Sequence, residues 1–327
     1  MPALPRLPVV RELIKIYGIS AKSELGQNFI FDKNITDKIV SSAFISPTDV
    51  LVVEVGPGPG LLTRSILDAG ARNVVAVEKD ARFIPTLTQL TEASEDRLKI
   101  LHGNMLKIPH TDILNAANIS PPSLTSPSPQ GNLGDIHIVG NLPFNVASPL
   151  LLQFLRMLSQ RKGLFGVGAR VRMTFMFQKE VGKTLTANIG TEHRGRFSVM
   201  AQSLCDVRTI YEVPSKVFFP VPKTPTDEIR CHTFSMSPPC TDTSRIAAEY
   251  EMLENVLRYF FTKRRKTIGN ILNRLAKRVP ATGPLLPALL ATGQAYHQAQ
   301  RPENLTNEQY GEIARWIRKR EIEIPLS

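Results

Sequence analysis

Cysteine is scarce in this 327-residue chain: Cys205, Cys231 and Cys240 are three in number and scattered. An odd, dispersed set builds no disulfide scaffold and fits a reducing compartment. There is no Cys-x-x-Cys and no His-Glu-x-x-His, and the six histidines share no ligand spacing, so no metal site is expected. The Gly-x-Ser-x-Gly elbow of serine hydrolases is missing as well. No apolar run approaches 18 residues, which excludes a membrane-spanning helix and removes a membrane from the expected partners. Acid is unevenly withheld: residues 255–302 contain neither Asp nor Glu.

That last absence locates the charge. The chain carries 40 Lys+Arg against 29 Asp+Glu, a net +11. Nine of its cations (Arg258, Lys263, Arg264, Arg265, Lys266, Arg274, Lys277, Arg278 and Arg301) fall in the acid-free stretch. Leu253, Val256, Leu257, Phe260 and Phe261, then Ile268, Ile271, Leu272 and Leu275, recur at helical spacing there. A basic helical C-terminal domain follows, preceded by a Ser/Pro/Thr linker around 235–244. A solvated helix face is the ordinary fate of a charge run; so long a stretch without compensating acid favours a nucleic-acid surface.

Upstream, β-branched and aromatic runs at 49–55, 73–78, 98–101, 136–139, 173–177 and 206–213 alternate with helical patterns such as 61–69 and 150–158. Buried strands alternating with helices predict a parallel α/β sheet, with 228–234 as a last, antiparallel strand. The Pro-, Ser- and Asn-rich stretch 115–134 is expected to be a surface loop. Residues 8–17 have amphipathic helix spacing with Arg11 and Lys15. Two readings stay open there, a packing helix and a mitochondrial targeting start, the second weakened by Glu12.

The strongest local signal is Glu54-Val55-Gly56-Pro57-Gly58-Pro59-Gly60, which follows a predicted strand and opens a helix. Glycines there let the backbone turn tightly and bring N–H groups close to a ligand. The next strand ends in Glu78, 18 residues beyond Gly60, where an acid accepts both hydroxyls of a ribose. The Gly-x-Gly-x-Gly spacing leans away from a pyrophosphate ligand. Downstream, Gly140-Asn141-Leu142-Pro143-Phe144 ends the fourth strand. Hydride transfer has no use for such a tetrad, whereas methyl transfer to a planar amine does. The Asn141 side-chain oxygen and the main-chain carbonyl of Leu142 or Pro143 could accept the amine's two hydrogens and aim its lone pair at a methyl donor. Pro143 would stiffen the loop, and Phe144 would give the base a stacking face.

Together these residues resemble the ribosomal RNA adenine dimethyltransferase family, and within it the mitochondrial branch. The resemblance runs along nearly the whole chain. It takes in Leu25-Gly26-Gln27-Asn28-Phe29, the glycine loop, Val77-Glu78-Lys79-Asp80, the Asn141 tetrad and Gln178-Lys179-Glu180-Val181. Further on it takes in Ser198 to Gln202, Phe218-Phe219-Pro220-Val221-Pro222-Lys223 and Arg264-Arg265-Lys266-Thr267. It implies a Rossmann-like S-adenosylmethionine-dependent methyltransferase domain at 25–237. A smaller all-helical domain would follow at 243–327, and an extension would precede at 1–24. It also implies donor contacts at Asn28, Ile30, Gly56, Gly58, Glu78, Lys79, Asn104, Met105 and Asn141. The target adenine would be sandwiched between Phe144 and Phe218. Asn104 departs from the family, which commonly has Asp there. The implied reaction dimethylates two adjacent adenines in a small-subunit rRNA hairpin loop, in the mitochondrial matrix and on the ribosomal particle. The alternative is a transcription or ribosome-assembly factor with a vestigial pocket, touching the mitochondrial transcription machinery. Arg194 and Arg196 could bind phosphate or be solvated, Gln178–Val181 could be a capped helix start, and Cys205 fits a small core residue.

Overall fold

The computed structural model describes residues 28–119, 134–221, 226–233, 243–291 and 297–325, with residues 4, 12, 16 and 18. Most of the helix expected at 8–17 and of the loop at 115–134 lies outside the described residues. The chain divides into two compact units, Met1–Gly182 with Asp206–Ser235, and Lys183–Cys205 with Met236–Ser327.

The first unit is built on strands β1 (Phe29–Ile30), β2 (Leu51–Val55), β3 (Val74–Glu78), β4 (Leu98–His102), β5 (Ile136–Gly140), β6 (Val171–Gln178), β7 (Cys205–Val213), β8 (Phe218–Phe219) and β9 (Thr226–Thr233). Seven of them form one sheet in the order β4-β3-β2-β5-β6-β9-β7. The run from β4 to β6 is parallel, and β9 joins β6 antiparallel. Every residue of β2, β3 and β5 is buried. That is why these segments read as near-continuous Val, Leu and Ile: a parallel strand covered on both faces has no polar side to display. The expected strands are all present, with 228–234 placed between β6 and β7. A small ribbon, β1 paired antiparallel with β8 (Phe29 opposite Phe219, Ile30 opposite Phe218), stands apart from the sheet.

Helices α1 (Lys33–Ala43), α2 (Leu61–Asp68), α3 (Ile84–Ala93), α4 (His110–Ala116) and α5 (Phe144–Ser159) accompany the sheet, and α6 (Lys179–Leu185) follows β6 directly. Asp32 starts α1 by accepting the Asn34 N–H at 3.0 Å. Ile39, Val40 and Ala43 of α1 and Ile66 and Leu67 of α2 enter one apolar core with Val52, Val74 and Val139 of the sheet.

The second unit holds α7 (Arg196–Gln202), α8 (Thr243–Phe261), α9 (Ile268–Arg278), α10 (Leu285–Ala291) and α11 (Asn307–Arg318). It is helical as expected, yet it also draws in Lys183–Cys205, a stretch that falls inside the expected 25–237 domain. Arg194 is one buried part of that association. Its side chain is 1% exposed and donates to the Gln202 Oε1 at 3.0 Å, the Leu305 carbonyl at 3.2 Å and the Asn307 Oδ1 at 2.6 Å. The reading of Arg194 as a phosphate-binding or solvated residue is therefore corrected: it is a buried tie between the 183–205 stretch and the C-terminal helices. Thr306 starts α11 with a reciprocal cap, exchanging hydrogen bonds with Gln309 at 3.0 and 2.9 Å. Cys205 is buried, as a small core residue should be. Among the described residues no helix is long and apolar enough to cross a membrane.

Candidate functional site

The chain leaves β2 for β3 and β4 on one side and returns to β5 on the other. Loops at the carboxyl ends of β2 and β5 therefore diverge, and a crevice opens between them, the usual ligand position in such sheets. A cavity of about 320 Å³ occupies it. Asn28, Ile30, Gly56, Gly58, Glu78, Lys79, Asn104, Met105, Asn141, Leu142 and Pro143 all line it. Residues from five separate stretches of sequence thus meet at one place.

The glycine loop follows β2 without a break. Gly58 has φ +55°, and a Cβ there would sit 3.0 Å from the Phe29 ring. Its N–H donates to the Glu78 Oε2 at 2.9 Å, while the Asp80 N–H meets Oε1 at 2.6 Å. Glu78, the last residue of β3, is 4% exposed, and burial raises its pKa although these N–H groups oppose the shift. Gly140 serves a different need. Any Cβ on it would lie 2.6 Å from the Val55 carbonyl, so only glycine lets the end of β5 lie against β2.

Glu54, to which the motif alone assigns no role, stands inside the site. It lines the cavity from within β2 and is fully buried, and among the described residues no donor meets hydrogen-bond geometry with either carboxylate oxygen. Burial pushes its pKa up to about 8, with nearby Thr63 and Arg64 opposing and the Glu78 carboxylate adding to the rise. The available signal was an acid inside a run of buried aliphatics, which is costly unless a ligand or partner uses it. Two buried carboxylates and side-chain-free backbone at Gly56 and Gly58 fit a ligand that carries a ribose and positive charge. S-adenosylmethionine has both.

Asn141 begins the turn from β5 into α5. Its Nδ2 donates to the main-chain carbonyl of Asn28 at 2.7 Å. This bond assigns the amide, because an oxygen facing that carbonyl would be repelled. Pro143 is the N-cap of α5, and its carbonyl already accepts the Val146 and Ala147 N–H groups at 2.8 and 3.1 Å. Of the two carbonyls left open by the sequence, Leu142 therefore has the freer oxygen. Phe144 opens α5. Phe218 is 2% exposed, packs in the main core opposite Ile30, and is not among the residues lining the cavity. Asn104 accepts the Leu106 N–H on its Oδ1 at 3.1 Å. Its other arm is then an amide N–H₂, a donor where aspartate would offer a second acceptor.

The family model for ribosomal RNA adenine dimethylase matches residues 18–285. The bovine (Bos taurus) mitochondrial dimethyladenosine transferase 1 is 42% identical over 286 residues, covering 86% of this chain and 79% of its own length. The corresponding protein of Vermamoeba vermiformis is 36% identical, with 95% of this chain and 94% of its own covered. Among solved structures, a dimethyladenosine transferase from Plasmodium falciparum superposes with TM-score 0.66 at 20% identity, covering 91% of this chain and all of that one. The 23S rRNA methyltransferase ErmE superposes with TM-score 0.56 at 22% identity, over 88% of this chain and 99% of its own. These two likenesses carry the fold, a Rossmann-like methyltransferase architecture. The family match and the sequence relatives carry membership: the chain belongs to the ribosomal RNA adenine dimethylase family of S-adenosylmethionine-dependent methyltransferases.

Proposed function

We propose that this protein dimethylates two adjacent adenines in a small-subunit rRNA hairpin loop, working in the mitochondrial matrix on the ribosomal particle. The mitochondrial names of the curated relatives support the compartment. A hairpin loop suits the chemistry, because its bases are already partly unstacked and can be splayed into a cavity.

The observation that carries the reading is the amide of Asn141, pinned through Nδ2 to the Asn28 carbonyl beside the cavity. Its oxygen and the Leu142 carbonyl form a pair of acceptors at the end of β5. Aimed at the two hydrogens of an adenine amine, they draw the nitrogen toward tetrahedral geometry and free its lone pair from the ring. Because the Asn28 bond fixes the amide beforehand, the dipoles need no reorganisation at the moment of reaction. Glu78 and the glycine loop would hold the donor's ribose and amino-acid ends, Lys79, Asn104 and Met105 would flank its base, and Asn28 and Ile30 would cover it. S-adenosylmethionine supplies an electrophilic methyl when bound. No general base is required, since the methylated amine turns acidic and releases its proton to water. Phe144 is the proposed stacking face for the target base. Phe218 would join it only if the β1–β8 ribbon lifts from the core.

Labelled-methyl transfer to a small-subunit rRNA hairpin, with DNA of matched length as control, tests the activity. Asn141→Ala should lower the rate about 100-fold, the scale of losing one preorganised polar contact, with hairpin affinity nearly unchanged. Turnover within about twofold of the parent, worth only ~0.4 kcal/mol, would refute the amine-binding role. A binding factor with a vestigial pocket predicts hairpin binding with no methyl transfer at all.

A further inference from the structure

The strand order β4-β3-β2-β5 lays the crevice out in sequence. The loops after β2 and β5 flank its centre, Glu78 ends β3, and Gly103 to Leu106, just past β4, line the cavity on the far side. A donor whose ribose meets Glu78 and whose sulfonium faces Asn141 therefore lays its base against that β4 wall. Asn104 carries the wall's one polar side chain, between the glycine and the apolar Met105 and Leu106. The backbone there is fixed: the Gly103 N–H donates to the Glu78 carbonyl at 2.8 Å, and the Asn104 carbonyl accepts the Lys107 and Ile108 N–H groups at 2.7 and 2.8 Å. The side chain is fixed too, since its Oδ1 accepts the Leu106 N–H at 3.1 Å. Turning the amide over would set N–H₂ against that N–H, so the bond assigns its two ends. Among the described residues no acceptor holds Nδ2. What this wall can offer the edge of a base is a donor.

We propose that Asn104 reverses the polarity with which the donor's base is read: Nδ2 donates to a ring nitrogen beside the exocyclic amine, N1 or N7, and the amine gains no side-chain acceptor from this wall. The inference rests on the donor arrangement proposed above and adds which atoms of the base decide affinity. An aspartate here, the common residue of the family, has only oxygens to present. It would accept from the amine and repel the lone pair of either neighbouring ring nitrogen. Exchanging one oxygen for N–H₂ thus moves recognition to the next atom of the same purine. The amine becomes nearly dispensable and the ring nitrogen does not. The bond is also neutral rather than charge-assisted, hence the weaker of the two.

The test is calorimetry on the full chain with S-adenosylhomocysteine, the demethylated donor, and three analogues of it. One lacks the exocyclic amine, and the other two carry C–H in place of N1 or of N7. In the parent, loss of the amine should cost no more than about twofold in affinity, and one of the C–H replacements about fivefold, the scale of a neutral hydrogen bond. Asn104→Asp should invert the pattern. Loss of the amine should then cost about tenfold or more, the scale of a charge-assisted bond, while the same C–H replacement costs little. The carboxylate keeps an oxygen for the Leu106 N–H, so the turn should survive. Should the variant melt well below the parent, the parent's own four affinities still decide. A tenfold loss for the amine-free ligand in the parent would overturn the inference, as would indifference to both C–H replacements. So would identical patterns in parent and variant, since the side chain would then not face the base. Inversion without methyl transfer to the hairpin would sink the enzymatic reading alone. Failure to bind any of the four ligands would sink both.

Discussion

At the scale of single residues, Glu54 makes the sharpest claim about protonation. Its pKa, pushed up to about 8 by burial, lies above that of a carboxylate in the unfolded chain. Between roughly pH 4.5 and 8 the native state holds a proton that the unfolded state gives up. Stability should therefore fall as pH rises through this window, at up to ~1.4 kcal/mol per pH unit. Glu54→Gln keeps the shape without the ionisation, so its melting temperature should be flatter from pH 5 to 8. Its affinity for the cationic donor should drop, most clearly near pH 8. Parallel melting profiles for variant and parent would show that Glu54 titrates normally. The residue was legible as an anomaly, since an acid at the fourth position of a five-residue buried strand contradicts its neighbours. Its surroundings were not legible, because they depend on which side chains arrive from β3 and α2. Asn141 shows the same limit. The motif named the amide, and only the fold revealed that Asn28, 113 residues earlier, fixes which end of it faces away.

At the scale of elements, the sheet was readable because parallel strands buried on both faces write themselves as aliphatic runs, whereas the β1–β8 ribbon was not. Two-residue strands such as Phe29–Ile30 and Phe218–Phe219 have no periodicity, and their pairing brings together positions nearly 190 residues apart. That pairing also explains why Phe218, expected at the target base, sits in the core instead. The basic run Arg264-Arg265-Lys266 divides along similar lines. Arg264 is held by Glu192 and Glu303, whereas Arg265 and Lys266 are exposed at the turn between α8 and α9. Arg264→Gln should therefore lower the melting temperature of the helical unit and leave the RNA salt slope nearly intact. Arg265→Gln with Lys266→Gln should do the reverse, losing about 0.7 of slope for each single-strand phosphate contact. A lowered slope for Arg264→Gln at normal stability would reverse this assignment.

At the scale of the whole molecule, the chain comprises two compact units, one built on the sheet and one helical. No composition shift marks Lys183–Cys205 as part of the second, because the attachment is made by tertiary bonds from Arg194, Gly190 and Glu192 to residues more than 70 positions away. Arg194→Leu would strand its acceptors, which are Gln202, the Leu305 carbonyl and Asn307. Breaking such a network costs about 3 kcal/mol or more, and the loss should fall on the helical unit. Donor binding supplies the complementary handle, since a ligand at 100 times its Kd stabilises the unit that binds it by ~2.7 kcal/mol. In calorimetry the variant should show a helical-unit transition displaced to lower temperature. S-adenosylmethionine should move the sheet-unit transition upward and leave the other where it is. One transition that shifts as a whole under both the mutation and the donor would mean that the units unfold cooperatively.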